Sequence, residues 1–61
     1  MSEYKKKIIE LIESNLIGYE ISKKTGVSQY VLSQLRQGKR EVDNLTLNTT
    51  EKLYEYANKV L

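Results

Sequence analysis

The stretch of sequence that decides the fold is GYEISKKTGVSQYVLSQLRQGKR, residues 18–40. Gly18 can open a short helix that ends at Gly26, because glycine adopts the positive φ that closes a helix C-terminus. Ser28 is a good N-cap for a helix over residues 29–37, since its hydroxyl can accept a hydrogen bond from a free amide in the first turn. These signals predict two short helices joined by a tight turn.

The predicted helix over residues 29–37 has two distinct faces. At about 100° per residue, Val31, Leu32 and Leu35 fall within one sector, which we expect to face the core. The opposite sector carries amide, hydroxyl and phenol groups and no acidic residue; it consists of Gln29, Tyr30, Ser33, Gln34 and Gln37. Gly38 ends the helix. The outward face is poorly suited to a protein core and is available to a partner.

Two further amphipathic helices are predicted, one on either side of this pair. Ser2 is the N-cap candidate of the first, which ends near Ser14. Its apolar stripe consists of Tyr4, Ile8, Leu11 and Ile12. Either Thr46 or Asn48 caps the last helix, and residues 41–44 form a polar connector before it. The stripe of the last helix consists of Leu47, Thr50, Leu53, Tyr54, Ala57, Val60 and Leu61. The sequence therefore predicts an all-α fold, a compact four-helix domain.

Length and composition restrict the class of protein. The chain has 61 residues, enough for one hydrophobic core, so residues 1–61 are expected to form a single domain. It contains no Cys and no His, which removes disulfides, thiol nucleophiles and the commonest metal ligand and general base. The acidic and lysine residues lie on helix surfaces, without a nucleophile, base and orienting group together. We expect no metal, no cofactor and no enzymatic activity.

The sequence predicts a cytoplasmic protein without a membrane segment. No apolar run approaches the length of about 20 residues that spans a bilayer. The N-terminal residues MSEYKKK lead into an amphipathic helix and not into the apolar core of a signal peptide.

Positive charge is concentrated in the middle of the chain. The formal net charge is +2, but residues 18–40 hold five basic side chains against Glu20 alone. Residues 1–17 are balanced, and residues 41–61 are net acidic. A clustered positive field suits a polyanion, because each Lys or Arg that meets a phosphate releases counterions. Ordinary solvated helix faces would give the same pattern, so charge alone leaves both interpretations open.

The order and spacing of small, glycine and apolar residues indicate a helix-turn-helix. Ser22 stands four residues before Gly26, and Leu32 stands six residues after it. The full pattern, Ile21-Ser22-x-x-Thr25-Gly26-Val27-Ser28-Gln29-x-Val31-Leu32-Ser33-x-Leu35-x-x-Gly38-Lys39-Arg40, resembles the phage-repressor and Cro-like (lambda-repressor-like) helix-turn-helix family. The chain departs from that family at Ser22, where Ala is usual, and at Ile17, where a Ser or Thr cap is frequent.

The resemblance implies a sequence-specific binder of double-stranded DNA, a transcriptional regulator whose helix over residues 28–37 enters the major groove. The positions that match the family's base-reading residues are Gln29, Gln34, Ser33, Tyr30 and Ser28. Glutamine can contact adenine N6 and N7 together, which discriminates by about 1–3 kcal/mol. Tyr30 has a structural alternative, an exposed ring that covers the preceding helix, and Ser28 can serve both as a cap and as a contact.

Positively charged residues near the end of that helix match the family's phosphate contacts. Lys39 and Arg40 follow the helix directly, and their alternative role is to favour its C-terminus through the helix dipole. Arg36 could reach a phosphate or a guanine. The amides of Gly18 and Tyr19, at the start of the preceding helix, could also meet a phosphate.

The resemblance also implies a homodimer on a near-palindromic operator, acting as a repressor by occlusion. Candidate interface residues are Tyr54, Tyr56, Val60 and Leu61, because the last helix carries more apolar surface than one small core needs. Tyr54 and Val60 could instead complete the core of the monomer. The alternative function is a helical protein-interaction module, resembling an antitoxin or inhibitor, which would bind a protein with little salt dependence.

Overall fold

The computed structural model describes residues 2–61 and confirms an all-α fold with four helices. The helices are α1 (Glu3–Glu13), α2 (Gly18–Thr25), α3 (Gln29–Arg36) and α4 (Leu47–Val60). A single 3₁₀ turn, Val42–Asn44, precedes α4. Each helix starts within one residue of the position that its capping and apolar pattern predicts. The two short helices α2 and α3 are the pair on either side of Gly26.

The hydrophobic core forms where α1 and α4 pack together and α2 and α3 close over them. Its buried side chains are Ile8, Leu11, Ile12, Ile21, Val27, Leu32, Leu35, Leu53 and Ala57. All four helices contribute, so the core includes the inner faces of both short helices. Burying one Leu or Ile side chain stabilises a fold by about 1.5–3 kcal/mol. The inner face of α3 is therefore fixed by packing, and this fixes the direction of its outer face.

Three helices begin at a hydroxyl cap. Ser2, Ser28 and Thr46 each accept a hydrogen bond from the amide three residues later, at 3.1, 3.2 and 3.3 Å. Thr46 is thus the cap of α4, and the alternative cap Asn48 is wrong because it lies inside the helix. The exception is α2, whose N-cap Ile17 offers no side-chain hydrogen bond.

The turn between α2 and α3 is closed by a glycine and a buried threonine. Gly26 has φ 79°, as its place after the helix predicts, and its amide donates to the Ser22 carbonyl at 2.8 Å. The Thr25 hydroxyl donates to the Ile21 carbonyl at 2.6 Å and accepts from the Val27 amide at 3.1 Å. One hydroxyl therefore satisfies polar backbone groups on both sides of the turn.

The end of α3 is a second glycine turn. Gly38 has φ 77°, and its amide donates to the Leu35 carbonyl at 3.3 Å. The Lys39 amide donates to the Gln34 carbonyl at 2.9 Å. These two bonds form a Schellman motif, which reverses the chain after a helix. Residues that follow Gly38 are thereby brought back alongside α3, which ends at Arg36, one residue earlier than predicted.

The segment between α3 and α4 is not only a polar connector, as residues 41–44 had suggested. Val42 and Leu45 pack against the core as partly buried side chains. Asp43 accepts a hydrogen bond from the Lys5 ammonium at 2.8 Å, which ties the 3₁₀ turn to α1. The partial burial of Val42 and the contact from Lys5 to Asp43 hold this segment against α1 and the core.

Within residues 2–61, no helix has the length and apolar character needed to cross a membrane. The longest helix, α4, has 14 residues, whereas a spanning helix needs about 20. The described residues also contain no group of three or more His, Cys, Asp or Glu side chains that could hold a metal ion.

Candidate nucleic-acid interface

The outer face of α3 is the most distinctive polar surface of the molecule. On the inner face Leu32 and Leu35 are buried, which turns the rest of the helix toward solvent. The five outward residues predicted from the sequence share this face; Gln34 is half-buried, and the exposed ones are Gln29, Tyr30, Ser33 and Gln37. The Tyr30 side chain is 67% exposed. This helical face carries no acidic residue.

One row along this face consists of Gln29, Ser33 and Gln37, spaced one helical turn apart. The Gln37 amide nitrogen donates to the Ser33 hydroxyl at 3.0 Å. The Gln29 side chain makes no hydrogen bond with any other residue of the part of the chain that the structure describes. Gln29 therefore has its full amide, donor and acceptor, available to a partner.

A second row pairs Tyr30 with Gln34 and is joined by Arg40. The Gln34 Nε2 donates to the Tyr30 hydroxyl oxygen at 2.9 Å. Arg40 Nε and Nη2 both donate to Gln34 Oε1, at 2.9 and 2.7 Å. The Schellman motif at Gly38 explains this contact, because it turns the chain back along α3. We call Tyr30, Gln34 and Arg40 the arginine-linked row.

Arg36 points away from the outer face and toward the end of α1. Its Nε donates to the Ile12 carbonyl at 2.9 Å, and its Nη2 donates to the Leu16 carbonyl at 2.6 Å. These carbonyls belong to the last turn of α1 and the segment after it, where helix carbonyls lack intrahelical partners. Arg36, which the sequence predicted at a phosphate or a guanine, thus uses two of its nitrogens in hydrogen bonds to backbone carbonyls of its own chain.

The remaining nitrogen of Arg36 lies beside the start of α2. Its Nη1 is 4.0 Å from the position that a Cβ on Gly18 would occupy. Because Ile17 provides no side-chain cap, the first amides of α2 are left for solvent or a ligand. Tyr19 is 56% exposed at this end. The structure therefore brings together three residues predicted as phosphate contacts, Gly18, Tyr19 and Arg36, at one end of α3's outer face.

Two basic groups, Arg40 and Lys52, line the side of α3 that faces α4. Lys39 is exposed, and no residue in the range 2–61 forms an ion pair with it. A groove of about 220 Å³ between α3 and α4 is lined in part by Ser28, Arg40, Thr46 and Lys52. Lys52 was missed by the sequence reasoning because it lies far along the chain, on α4, and only the packing of α4 brings it near α3.

Neither a search of protein-family models nor a search of curated proteins finds a significant match to the sequence.

The residues predicted for a dimer interface divide between core and surface. The Tyr54 ring stacks on Tyr4, with centroids 4.5 Å apart, and Tyr56 is half-buried against the core. Val60 and Leu61 are 42% and 50% exposed. Leu47, at the other end of α4, is 70% exposed and was not among the interface candidates. Tyr54 thus packs between α1 and α4, as its alternative role predicts, whereas Val60, for which the same alternative was stated, is exposed and lies outside the core.

Proposed function

We propose that this protein is a sequence-specific double-stranded DNA-binding regulator of transcription, with α3 in the major groove, acting as a repressor by occlusion. The observation that carries the proposal is the outer face of α3: an exposed helical face of amides and hydroxyls, without a carboxylate, between basic groups on both sides. A major groove is wide enough to admit an α-helix, and its base edges are hydrogen-bond donors and acceptors.

Two groups of residues are proposed to hold the DNA backbone on either side of α3. On one side are the first amides of α2, at Gly18 and Tyr19, with Arg36 Nη1 beside them. On the other side is Lys52, near the first residues of α3, and the exposed Lys39 is proposed as a contact in the turn after the helix. Backbone contacts of this kind fix the register of a helix in the groove and carry no sequence information themselves.

Base reading is proposed for Gln29, Tyr30, Ser33 and Gln34, with Ser28 both as a cap and as a contact at the start of α3. A homodimer would place two copies of α3 about 34–36 Å apart, one turn of DNA. Val60 and Leu61 remain the exposed candidates for the interface, and Leu47 is a separate exposed apolar residue at the other end of α4. Operator occlusion requires no further domain, because a bound dimer covers the site.

The experiment that tests this proposal is selection of bound sequences from random duplex DNA at about 150 mM salt, followed by competition against scrambled duplex. We expect one enriched half-site, repeated about one helical turn away. Enrichment of no sequence, with equal competition by scrambled duplex, would contradict sequence-specific binding. A single half-site without a repeat would contradict the dimer alone.

Replacement of Gln29 tests base reading directly, because its amide is not committed to a neighbour. We expect Gln29→Ala to weaken binding to the selected duplex by about 1–3 kcal/mol and to leave binding to scrambled duplex nearly unchanged. Asn58→Ala, an exposed amide on α4, is the control and should change neither affinity. Equal losses on both duplexes for Gln29→Ala would count against base reading at this position.

The alternative, a protein-interaction module, is favoured by a different surface. A cleft of about 480 Å³ lies between α1 and the chain after α3, with Ile9, Leu35 and Val42 among its apolar lining. A protein ligand in this cleft would bind with little salt dependence, and the chain would show no preferred DNA sequence; Arg36 and Arg40 also line the cleft. Ile9→Asp, in the α1 wall of the cleft, would weaken such a complex and leave duplex selection unchanged, which separates the two functions.

A further inference from the structure

The arginine-linked row fixes which hydrogen-bonding groups α3 offers. Arginine has donors and no acceptor, so the Gln34 atom that faces both Arg40 nitrogens must be the amide oxygen. That oxygen accepts hydrogen bonds from Arg40 Nε at 2.9 Å and from Nη2 at 2.7 Å. The amide nitrogen of Gln34 accordingly points the other way, toward the Tyr30 hydroxyl at 2.9 Å. The orientation of the Gln34 amide follows from chemistry alone.

The groups left over in this row are donors, apart from the second lone pair of the Tyr30 oxygen. Gln34 Nε2 retains its second N–H, because only one is used on Tyr30. The Tyr30 oxygen accepts from Gln34, which leaves its O–H hydrogen to donate outward. Arg40 retains the N–H groups of Nη1 and one of Nη2. With its oxygen held by Arg40, the Gln34 amide cannot both donate and accept at one base, which is what adenine requires.

We propose that the arginine-linked row selects a G·C base pair, with guanine read through its O6 and N7. This inference rests on the proposed function and replaces adenine, the base first expected for Gln34. Guanine presents two adjacent acceptors in the major groove, whereas adenine places an N6 donor beside its N7 acceptor. Thymine offers one acceptor, O4, beside a methyl group. Guanine is thus the base whose edge best matches a surface dominated by donors.

To contact adenine, the Gln34 oxygen would have to give up its hydrogen bonds with Arg40, and this would cost free energy. Both of its bonds come from a charged guanidinium, and such hydrogen bonds are stronger than those between neutral groups. Arg40 is half-buried, so water does not fully replace what it would lose. The opposite row has no such restriction, because the Gln29 amide is not held by another side chain. The two rows of α3 therefore differ in the bases that they accept.

The test compares Arg40→Ala with Lys39→Ala in the selection from random duplex DNA. Each variant removes one positive charge from the same turn, but only Arg40→Ala frees the Gln34 oxygen. A Gln34→Ala selection identifies the base pair that Gln34 faces, as the position whose preference disappears. Circular dichroism of each variant checks that the helices are retained.

At the base pair that Gln34 faces, we expect the wild-type protein and Lys39→Ala to enrich G·C. For Arg40→Ala we expect the ratio of G·C to A·T at this pair to fall by about tenfold or more, because the contact to guanine O6 and N7 is lost. Wild-type enrichment of A·T at that pair, or a ratio in Arg40→Ala within about twofold of the wild-type value, would overturn the inference while leaving the proposed function intact. If the wild-type protein enriches no sequence, the proposed function itself fails and the inference fails with it.

Discussion

The two glycine turns at the ends of α2 and α3 share one backbone conformation and serve different purposes. Gly26 and Gly38 have φ 79° and 77°. The first turn is closed by the buried Thr25 hydroxyl, which bonds only to backbone groups. The second turn returns the chain to α3, and Arg40 bonds to an amide on the outer face. The same local geometry thus stabilises the scaffold in one place and arranges the proposed reading surface in the other.

The boundary between scaffold and reading surface falls within the second turn, between two arginines. Arg36, before the turn, donates to α1, whereas Arg40, after it, donates to α3. We expect Arg36→Ala to lower the free energy of unfolding by about 2–3 kcal/mol, because hydrogen bonds from charged groups are worth about 1.5–3 kcal/mol and these are partly exposed. The thermal midpoint should fall by about 10–20 °C.

Arg40→Ala is the matched control for that change. It removes a guanidinium of the same size, but its half-buried bonds go to one side-chain oxygen and not to the backbone carbonyls at the end of a helix, so the free energy of unfolding should fall by only about 1 kcal/mol. Thermal unfolding of both variants measures the difference. Equal losses would show that the outer-face contact is as much a part of the scaffold as the contact to α1.

Removal of the Thr25 hydroxyl should destabilise the turn between α2 and α3. Thr25→Val keeps the shape of the side chain but leaves the Val27 amide buried without its acceptor, which should lower the free energy of unfolding by about 2 kcal/mol. Thr25→Ser retains the hydroxyl and should lose less. Denaturant unfolding of the pair tests this. If Thr25→Val keeps the wild-type stability while Thr25→Ser loses it, the methyl group of Thr25 matters and the hydrogen bonds do not.

A smaller effect distinguishes two helix caps. Ser28→Ala and Thr46→Ala each remove a hydroxyl cap, so each should lower the free energy of unfolding by about 1 kcal/mol. Ser28 lies at the start of the proposed reading helix, whereas Thr46 caps α4. After correction for the change in stability, only Ser28→Ala should weaken binding to the selected duplex. A similar loss of DNA affinity in Thr46→Ala would place the α4 end of the groove in the interface too.

The smallest effect on the fold is expected at Lys39, which lies in the second turn. Lys39→Ala should change the free energy of unfolding by less than about 0.5 kcal/mol. It should weaken binding to selected and scrambled duplex by the same factor. The slope of log affinity against log salt concentration should fall by about one, the value for one lost phosphate contact. Titrations at several salt concentrations measure that slope. A loss confined to the selected duplex would mean that Lys39 reads a base.

Most of the fold could be predicted from the sequence, because its signals are local. Ser2 and Ser28 mark helix starts, and Gly26 and Gly38 mark helix ends, each through the conformation of its own residue or the next few. The role of Val42 could not be predicted in this way. A single apolar residue between polar neighbours has no period, and only the packing of α1 against the chain after α3 creates the space that it fills.

The outer face of α3 could also be predicted, since helical spacing alone separates it from the core. The partners of its side chains could not. Arg36 and Arg40 have the same chemistry and lie close together in the sequence, yet one turns inward and the other outward. Their directions depend on where α1 ends and how far Gly38 reverses the chain, and both are properties of the assembled fold.

The bonds from Arg36 to Ile12 and Leu16 also have a consequence for the order of folding. The carbonyls at the end of α1 are satisfied by a side chain 24 and 20 residues further along the chain. As the chain leaves the ribosome, these carbonyls are therefore hydrogen-bonded to water, and they gain their protein partner only when α3 has emerged and docked. In native-state hydrogen exchange, the amides that close the last turn of α1 and those of α3 should open together, as one cooperative unit.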